Sequence, residues 1–264
     1  MHMADISHSW GRIWAIALNL VKETIREQVF YLSLVYTGIL VSAMVALPQF
    51  SYDSSAKMIV DVGMAGIELI ALVTAVFVAA TLINKEIEKR TIFVLVAKPL
   101  SRAEFILGKH LGISAIIALL VAIMTTIFLV LIQLRSIQVP QVPVIIASGF
   151  IFWQIMLVSA IAILFGTFTS SIIASLLTLV SYLVGNFSKD LLQLGEISKN
   201  EVVQGVTRFL YLILPDLSRA NLKNEAVYGV LPSPEQLLTD GVYIFSYALL
   251  VLSIAILIFG KRSL

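Results

Sequence analysis

Residues 84–108 read NKEIEKRTIFVLVAKPLSRAEFILG and are the one long charged block that lies between two nearly uncharged runs. The block begins with good helix formers and reaches Pro99, whose ring disfavours a helix at the preceding residue. Ser101 and Glu104 have the spacing of a capping box, which predicts a second helix that continues into the next apolar run. We therefore predict two helices that meet at a Pro-Leu corner.

The composition around this block is that of a membrane protein. Of 264 residues, 59% are hydrophobic and 13% are charged, and the mean hydropathy is +0.98. A net charge of +2, without a basic run interleaved with aromatics, gives no reason to expect a nucleic-acid partner. The sequence has no cysteine and only three histidines, which form no HExxH pair, so we expect no metal site. It also has no G-x-x-x-x-G-K-[ST] loop, so any ATP and Mg would be bound by another chain.

The uncharged runs are long enough to cross a membrane, since a hydrocarbon core of about 30 Å takes about 20 helical residues. Residues 136–188 carry no charge and are about twice this length, with turn-forming residues from Gly166 to Ser171. We predict a single all-α transmembrane domain over 1–264, with six transmembrane helices at 29–47, 62–83, 110–134, 143–165, 172–188 and 242–260.

Two further segments have the pattern of amphipathic helices. Residues 4–28 place Trp10 and Trp14 opposite Arg12, which predicts an interfacial elbow helix. Residues 189–241 are too polar for a span, but the apolar stripe from Val202 to Ile213 predicts one or two short helices at the outer face. This extracytoplasmic segment either takes part in the transport pathway or is a solvated helix without such a role.

The basic residues predict the orientation of the spans. Six spans place both termini on one side, and most of the 18 Lys and Arg residues are expected on that side. We therefore expect a multi-pass protein of the cell (inner or plasma) membrane, with cytoplasmic termini and with residues 84–108 in the cytoplasm.

Glu68 is the single charged residue within the second predicted span. An ionised side chain in a span costs a few kcal/mol on insertion scales and usually faces protein or water. Glu68 is either a substrate or proton contact in the pathway, or a hydrogen-bonded packing residue near Arg135 or the outer helices.

Other polar and small residues give weaker patterns. Gly108 and Gly112 form a G-x-x-x-G whose position at the mouth of a span indicates an incidental match rather than a dimer contact. We expect His110 to be an interfacial residue rather than a ligand. Gln154 either lines a pathway or bonds a neighbouring helix.

Two stretches resemble a known family. The run KEIEKRTIFVLVAKPLSRAEFILGK, residues 85–109, resembles the cytoplasmic loop between the second and third spans of type-2 ABC transporter permeases, the membrane subunits of exporters. Those proteins also have an elbow helix, six spans, short outer helices before the last span and cytoplasmic termini. The stretch LPDLSRANLKNEA, residues 214–226, is similar to the branch that contains the multicopper-enzyme-maturation, gliding-motility and sodium-export permeases.

The resemblance implies a transport subunit in the lipid bilayer that is not an enzyme and binds no cofactor. It would pair with a second permease copy, as a homodimer or with a sister permease, and with separate ATP-binding cassette subunits that hold ATP and Mg. Matching positions imply coupling to these subunits by Lys85, Glu86, Glu88, Lys89, Arg90, Thr91, Pro99, Ser101, Arg102 and Glu104. Alternatively, these charges only orient the spans.

Two other functions stay open on the residues alone. A secondary transporter or channel would need no ATPase partner, but carriers typically show inverted repeats and broken helices with buried charges, which we do not find in the sequence. A membrane-embedded enzyme needs several facing polar groups, whereas Glu68 stands alone within its span.

Overall fold

The computed structural model describes residues 3–24, 29–50, 55–88, 101–198 and 200–261. Within these ranges the chain forms helices and turns without a strand, which confirms the all-α class. The helices are α1 (Met3–Thr24), α2 (Phe30–Phe50), α3 (Ser55–Glu88), α4 (Arg102–Leu134), α5 (Gln141–Gly166), α6 (Ser171–Asn186), α7 (Ser188–Ile197), α8 (Glu201–Ile213), a 3-10 helix (Leu217–Ala220), α9 (Lys223–Tyr228) and α10 (Pro234–Lys261).

Five of the described helices, α2, α3, α4, α5 and α10, are long and apolar enough to cross a membrane. The sixth predicted span is different, because α6 has only 16 residues and qualifies only together with α7. The chain bends by 63° between these two helices, at Phe187. The protein is thus a polytopic helical membrane protein, with five candidate spans among the described helices, or six if the bent pair counts as one.

The long helices extend beyond the apolar runs from which we predicted them. The helices α3, α4 and α10 each begin about two turns before their predicted spans. At the start of α4, the Ser101 hydroxyl accepts a hydrogen bond from the Glu104 amide, and the Glu104 carboxylate accepts one from the Ser101 amide. The predicted capping box is therefore confirmed, and it fixes where α4 begins.

The central helix of the bundle is α5, which packs against α3, α4, α6 and α10. Its second half is buried on nearly all sides, so its neighbours form one continuous apolar core around it. His110 of α4 is buried against α5, with its Nδ1 atom 3.3 Å from the Ser159 hydroxyl. The His110 side chain therefore packs between two helices, and its predicted position at the membrane interface stays a prediction.

The helix α1 crosses α4 at the two glycines of the G-x-x-x-G. A Cβ atom on Gly108 would lie 2.9 Å from the Ile16 Cβ atom, and one on Gly112 would lie 3.1 Å from the Ala17 carbonyl oxygen. The interpretation of these glycines as incidental is therefore wrong, since only small residues allow two helices to approach so closely. The opposite face of α1 exposes Trp10 and Trp14, as its amphipathic pattern predicted.

The segment between α6 and α10 contains more helices than the one or two predicted. It has α7, α8, the 3-10 helix and α9, which lie at the end of the bundle opposite Ser101. We call these two ends the Ser101 end and the α9 end. The predicted stripe does form α8, but its apolar residues are largely exposed, and its one buried side chain is Thr207 beside Gly195 of α7.

Candidate functional site

Glu68 lies on the inward face of α3 and is only 4% exposed. Its Oε1 atom accepts a hydrogen bond of 2.6 Å from the Tyr182 hydroxyl of α6. Its Oε2 atom lies 2.5 Å from the ammonium group of Lys223, the first residue of α9. Both carboxylate oxygens therefore have a donor, and one of the donors carries the opposite charge.

The helix α9 is held along α3 by a second contact nearer the end of the bundle. The ammonium of Lys57 lies 4.9 Å from the centre of the Tyr228 ring, a distance typical of a cation–π contact. Because Lys57 and Glu68 are about three turns apart on α3, the start of α9 lies deeper in the bundle than its end. Gly229 ends α9 in the left-handed region, with φ at 72°, beside Pro140.

A chain of hydrogen bonds continues from Tyr182 into the centre of the bundle. The Asn186 side-chain amide donates to the Tyr182 carbonyl, and the Gln154 side-chain amide donates to the Asn186 side-chain oxygen, each at 3.0 Å. Gln154 is almost fully buried on α5. Of the two predicted roles for Gln154, the structure therefore supports the bond to a neighbouring helix.

A second charged cluster surrounds Asp216, which is 3% exposed just before the 3-10 helix. Its carboxylate accepts hydrogen bonds from the hydroxyls of Ser188 (2.8 Å) and Ser218 (2.5 Å) and from the Arg219 side chain (3.3 Å). Arg219 also lies 3.5 Å from the carboxylate of Asp240 on α10. Burial alone would lower the pKa of Arg219, but the two carboxylates outweigh it and raise that pKa.

Beside the Asp216 cluster lies an open cleft of about 560 Å³ with charged side chains of both signs. Among its lining residues are Lys189, Arg219, Glu225 and Asp240. Non-helical backbone is tolerated at membrane depth where protein or a watery cavity covers it. The cleft and the Asp216 cluster together meet this condition for residues 214–222.

The start of α4 is attached to two other helices at the Ser101 end. The Arg12 guanidinium of α1 lies 2.7 Å from the Glu104 carboxylate, which is 6% exposed. The Arg102 guanidinium donates to the carbonyl oxygens of Phe259 (2.8 Å) and Gly260 (2.5 Å) in the last turn of α10. We call this group of contacts, formed by Arg12, Ser101, Arg102, Glu104 and the last turn of α10, the Ser101 junction.

This arrangement of spans can be compared with known proteins. The model of the ABC-2 family transporter proteins matches residues 14–264, which is nearly the whole chain. The chain belongs to the ABC-2 transporter family. It is thus a permease subunit of an ABC transporter, as the resemblance of residues 85–109 implied. A search of curated proteins found no match.

The structure places the predicted coupling residues of this permease in three groups. Lys85, Glu86 and Glu88 lie in the last turns of α3, and their side chains are outside the described residues. Lys89, Arg90, Thr91 and Pro99 are wholly outside the described residues. Ser101, Arg102 and Glu104 are described, and all three bond to the permease itself.

The sequence analysis missed the partners of Glu68. Lys223 and Tyr182 were not singled out, and the predicted neighbour Arg135 lies instead at a separate cleft with Met44 and Ile59. The rule that a charge within a span needs a partner could have directed attention to the lysines and arginines of residues 189–241. The geometry matches the predicted packing residue near the outer helices, and it shows that Glu68 does not stand alone.

The polar groups around Glu68 connect helices in the part of the permease that the structure describes. No group of three or more His, Asp or Glu side chains that could hold a metal ion occurs among those residues. The polar groups around Glu68 pair with one another and connect α3, α5, α6 and α9. The site therefore holds the start of α9 against α3.

Proposed function

We propose that this permease is the membrane-spanning subunit of an ABC exporter, driven by separate ATP-binding cassette subunits that bind ATP and Mg. The observation that carries the proposal is the family match over residues 14–264. The Ser101 junction supports it, because the segment that resembles the coupling loop continues directly into three connected helices. A push that reaches Ser101 would therefore move these three helices together.

In this proposal the Ser101 end faces the cytoplasm of a bacterial cell, and the α9 end faces outward. The permease pairs with a second copy or with a sister permease, as ABC transporters need two membrane domains for two ATPase subunits. The branch with the multicopper-enzyme-maturation, gliding-motility and sodium-export permeases remains a prediction from residues 214–226.

Charge reversals in the coupling loop test the ATPase partnership. We expect Glu88→Lys and Arg90→Glu to weaken co-purification with the ATP-binding subunit, and to reduce the ATPase activity of the complex. Arg208→Glu makes the same change of charge as Arg90→Glu, but on the exposed face of α8 at the other end of the bundle, and serves as the control. Unchanged binding and ATPase activity in both coupling variants would contradict the coupling role of these residues.

An ion-driven carrier is the second candidate, because the structure contains two features that the sequence analysis did not find. The Glu68–Lys223 pair is a buried charge pair within the bundle, and α6 and α7 form a broken helix. Both features occur in secondary transporters. A permease that purifies without any ATPase subunit, and whose proteoliposomes acidify in response to a sodium or potassium gradient, would favour the carrier.

A further inference from the structure

The last span, α10, is anchored at the Ser101 end by a side chain from α4. The carbonyl groups of the last turn of a helix have no partner within that helix, and a cation beside them interacts favourably with the helix dipole. Arg102 supplies both the hydrogen bonds and the charge, through the carbonyl oxygens of Phe259 and Gly260. The Phe105 ring of α4 stacks on the Phe259 ring, with 6.0 Å between centroids, so the contact is apolar as well as polar.

The first turns of α10 are anchored to the segment that leads to α9. Asp240 pairs with Arg219, and the Tyr243 hydroxyl accepts a hydrogen bond of 3.0 Å from the Asp216 amide. The Arg219 guanidinium also lies 4.6 Å from the centre of the Tyr243 ring. From there only a few residues of backbone separate Arg219 from Lys223, the partner of Glu68.

The helix α10 is continuous over 28 residues. Its anchors at Asp240 and Phe259 are about 28 Å apart at 1.5 Å per residue. One face, with Ile244, Ala248, Leu252 and Ala255 buried, packs along the bundle. Such a helix moves as a rigid body, because its backbone hydrogen bonds and side-chain packing resist bending. A displacement at one anchor therefore reaches the other anchor nearly undiminished.

We propose that Arg102 is a positioning residue that joins α10 to the coupling loop, so that α10 transmits movement of the Ser101 junction to the Asp216 cluster and to α9. The inference rests on the proposed function, since the ATP-binding subunit supplies the movement. It gives Arg102 a role within the permease rather than at the ATPase surface. During the transport cycle, movement of α10 would strain or release the Glu68–Lys223 contact through α9.

The absence of cysteine from the sequence makes a thiol-labelling test straightforward. Asn224→Cys introduces one thiol on the exposed side of α9, and its reaction rate with a maleimide is measured in the permease–ATPase complex in nanodiscs. We expect the rate to differ about fivefold or more between the nucleotide-free and the ATP–vanadate-trapped complex. Adding Arg102→Ala should abolish most of this difference while the ATP-binding subunit remains bound.

Three further variants make the result decisive. Arg102→Lys keeps one charged donor and should restore part of the response. Asp240→Asn removes the ion pair with Arg219 from the other anchor and should reduce the response in a correctly assembled complex. Arg208→Gln on α8 should leave the response intact. A full response in both Arg102→Ala and Asp240→Asn, or no response in the parent complex, would overturn the role of α10. Failure of the parent permease to bind an ATP-binding subunit would instead overturn the proposed function.

Discussion

Replacing Lys223 with methionine removes the cation beside Glu68 and keeps a side chain of similar length. The Glu68 side chain is buried, so its carboxylate would keep only the Tyr182 hydroxyl as a donor. Removing one partner of a buried ion pair costs about 3–5 kcal/mol, because the other charge is left uncompensated. Because Glu68 keeps the hydrogen bond from Tyr182, we expect Lys223→Met to lower the free energy of unfolding by about 3 kcal/mol, the lower end of this range.

The reverse change, Glu68→Gln, should cost less. The Lys223 side chain is one quarter exposed and can turn toward water, so the loss is that of one charge-assisted hydrogen bond, about 1.5–3 kcal/mol. The double variant Glu68→Gln/Lys223→Met leaves no unpaired charge, so it should be less destabilised than the two single costs together. The expected coupling energy between the two sites is about 2 kcal/mol.

The assay is reversible unfolding of the purified permease in mixed micelles, followed by tryptophan fluorescence, for the parent, both single variants and the double variant. Lys57→Met is the matched control, since its cation–π contact with Tyr228 is exposed and should contribute only about 0.5–1 kcal/mol. Additive effects of the two substitutions, with a coupling energy below about 0.5 kcal/mol, would refute the ion pair.

Two further predictions concern the Ser101 end. Gly108→Ala should destabilise the permease by about 1–3 kcal/mol, because the added Cβ atom would meet Ile16. Gly149→Ala is the control, since the space around Gly149 is open and the substitution should not destabilise the permease. The same unfolding assay measures both variants. Arg12→Gln should remove the ion pair between α1 and the buried Glu104 carboxylate and loosen α1 from α4, which faster hydrogen exchange of the α1 amides would reveal. Slow exchange in this variant would mean that packing at the two glycines alone holds α1 in place.

The parts of the fold that depend on neighbours in the sequence could be predicted. The capping box needs only Ser101 and Glu104, three residues apart, and the spans need only uncharged runs of sufficient length. These patterns predicted the start of α4 and the all-α class. They also predicted the position of the turn between α5 and α6, which the structure has at residues 167–170.

The contacts of the candidate site could not be predicted in this way. Glu68 and Lys223 are 155 positions apart, and nothing in either local pattern indicates that α9 lies along α3. The bend at Phe187 escaped prediction because residues 172–188 carry no charge, and an uncharged run does not show whether its helix stays straight to the end. The contact of Gly108 with α1 depends on a crossing between two helices that the G-x-x-x-G pattern does not specify.

The attachment of α1 to α4 has a consequence for biosynthesis. Arg12 and Glu104 are 92 positions apart, so a ribosome adding roughly 5–20 residues per second makes α1 about 5–20 seconds before its partner exists. During that interval the face with Ile13, Ala17 and Leu20, which α4 later covers, has only lipid or the insertion machinery to contact. The nascent α1 therefore stays at the membrane surface, where Trp10 and Trp14 can anchor it. It packs against protein only after Gly108 and Gly112 of α4 have been synthesised.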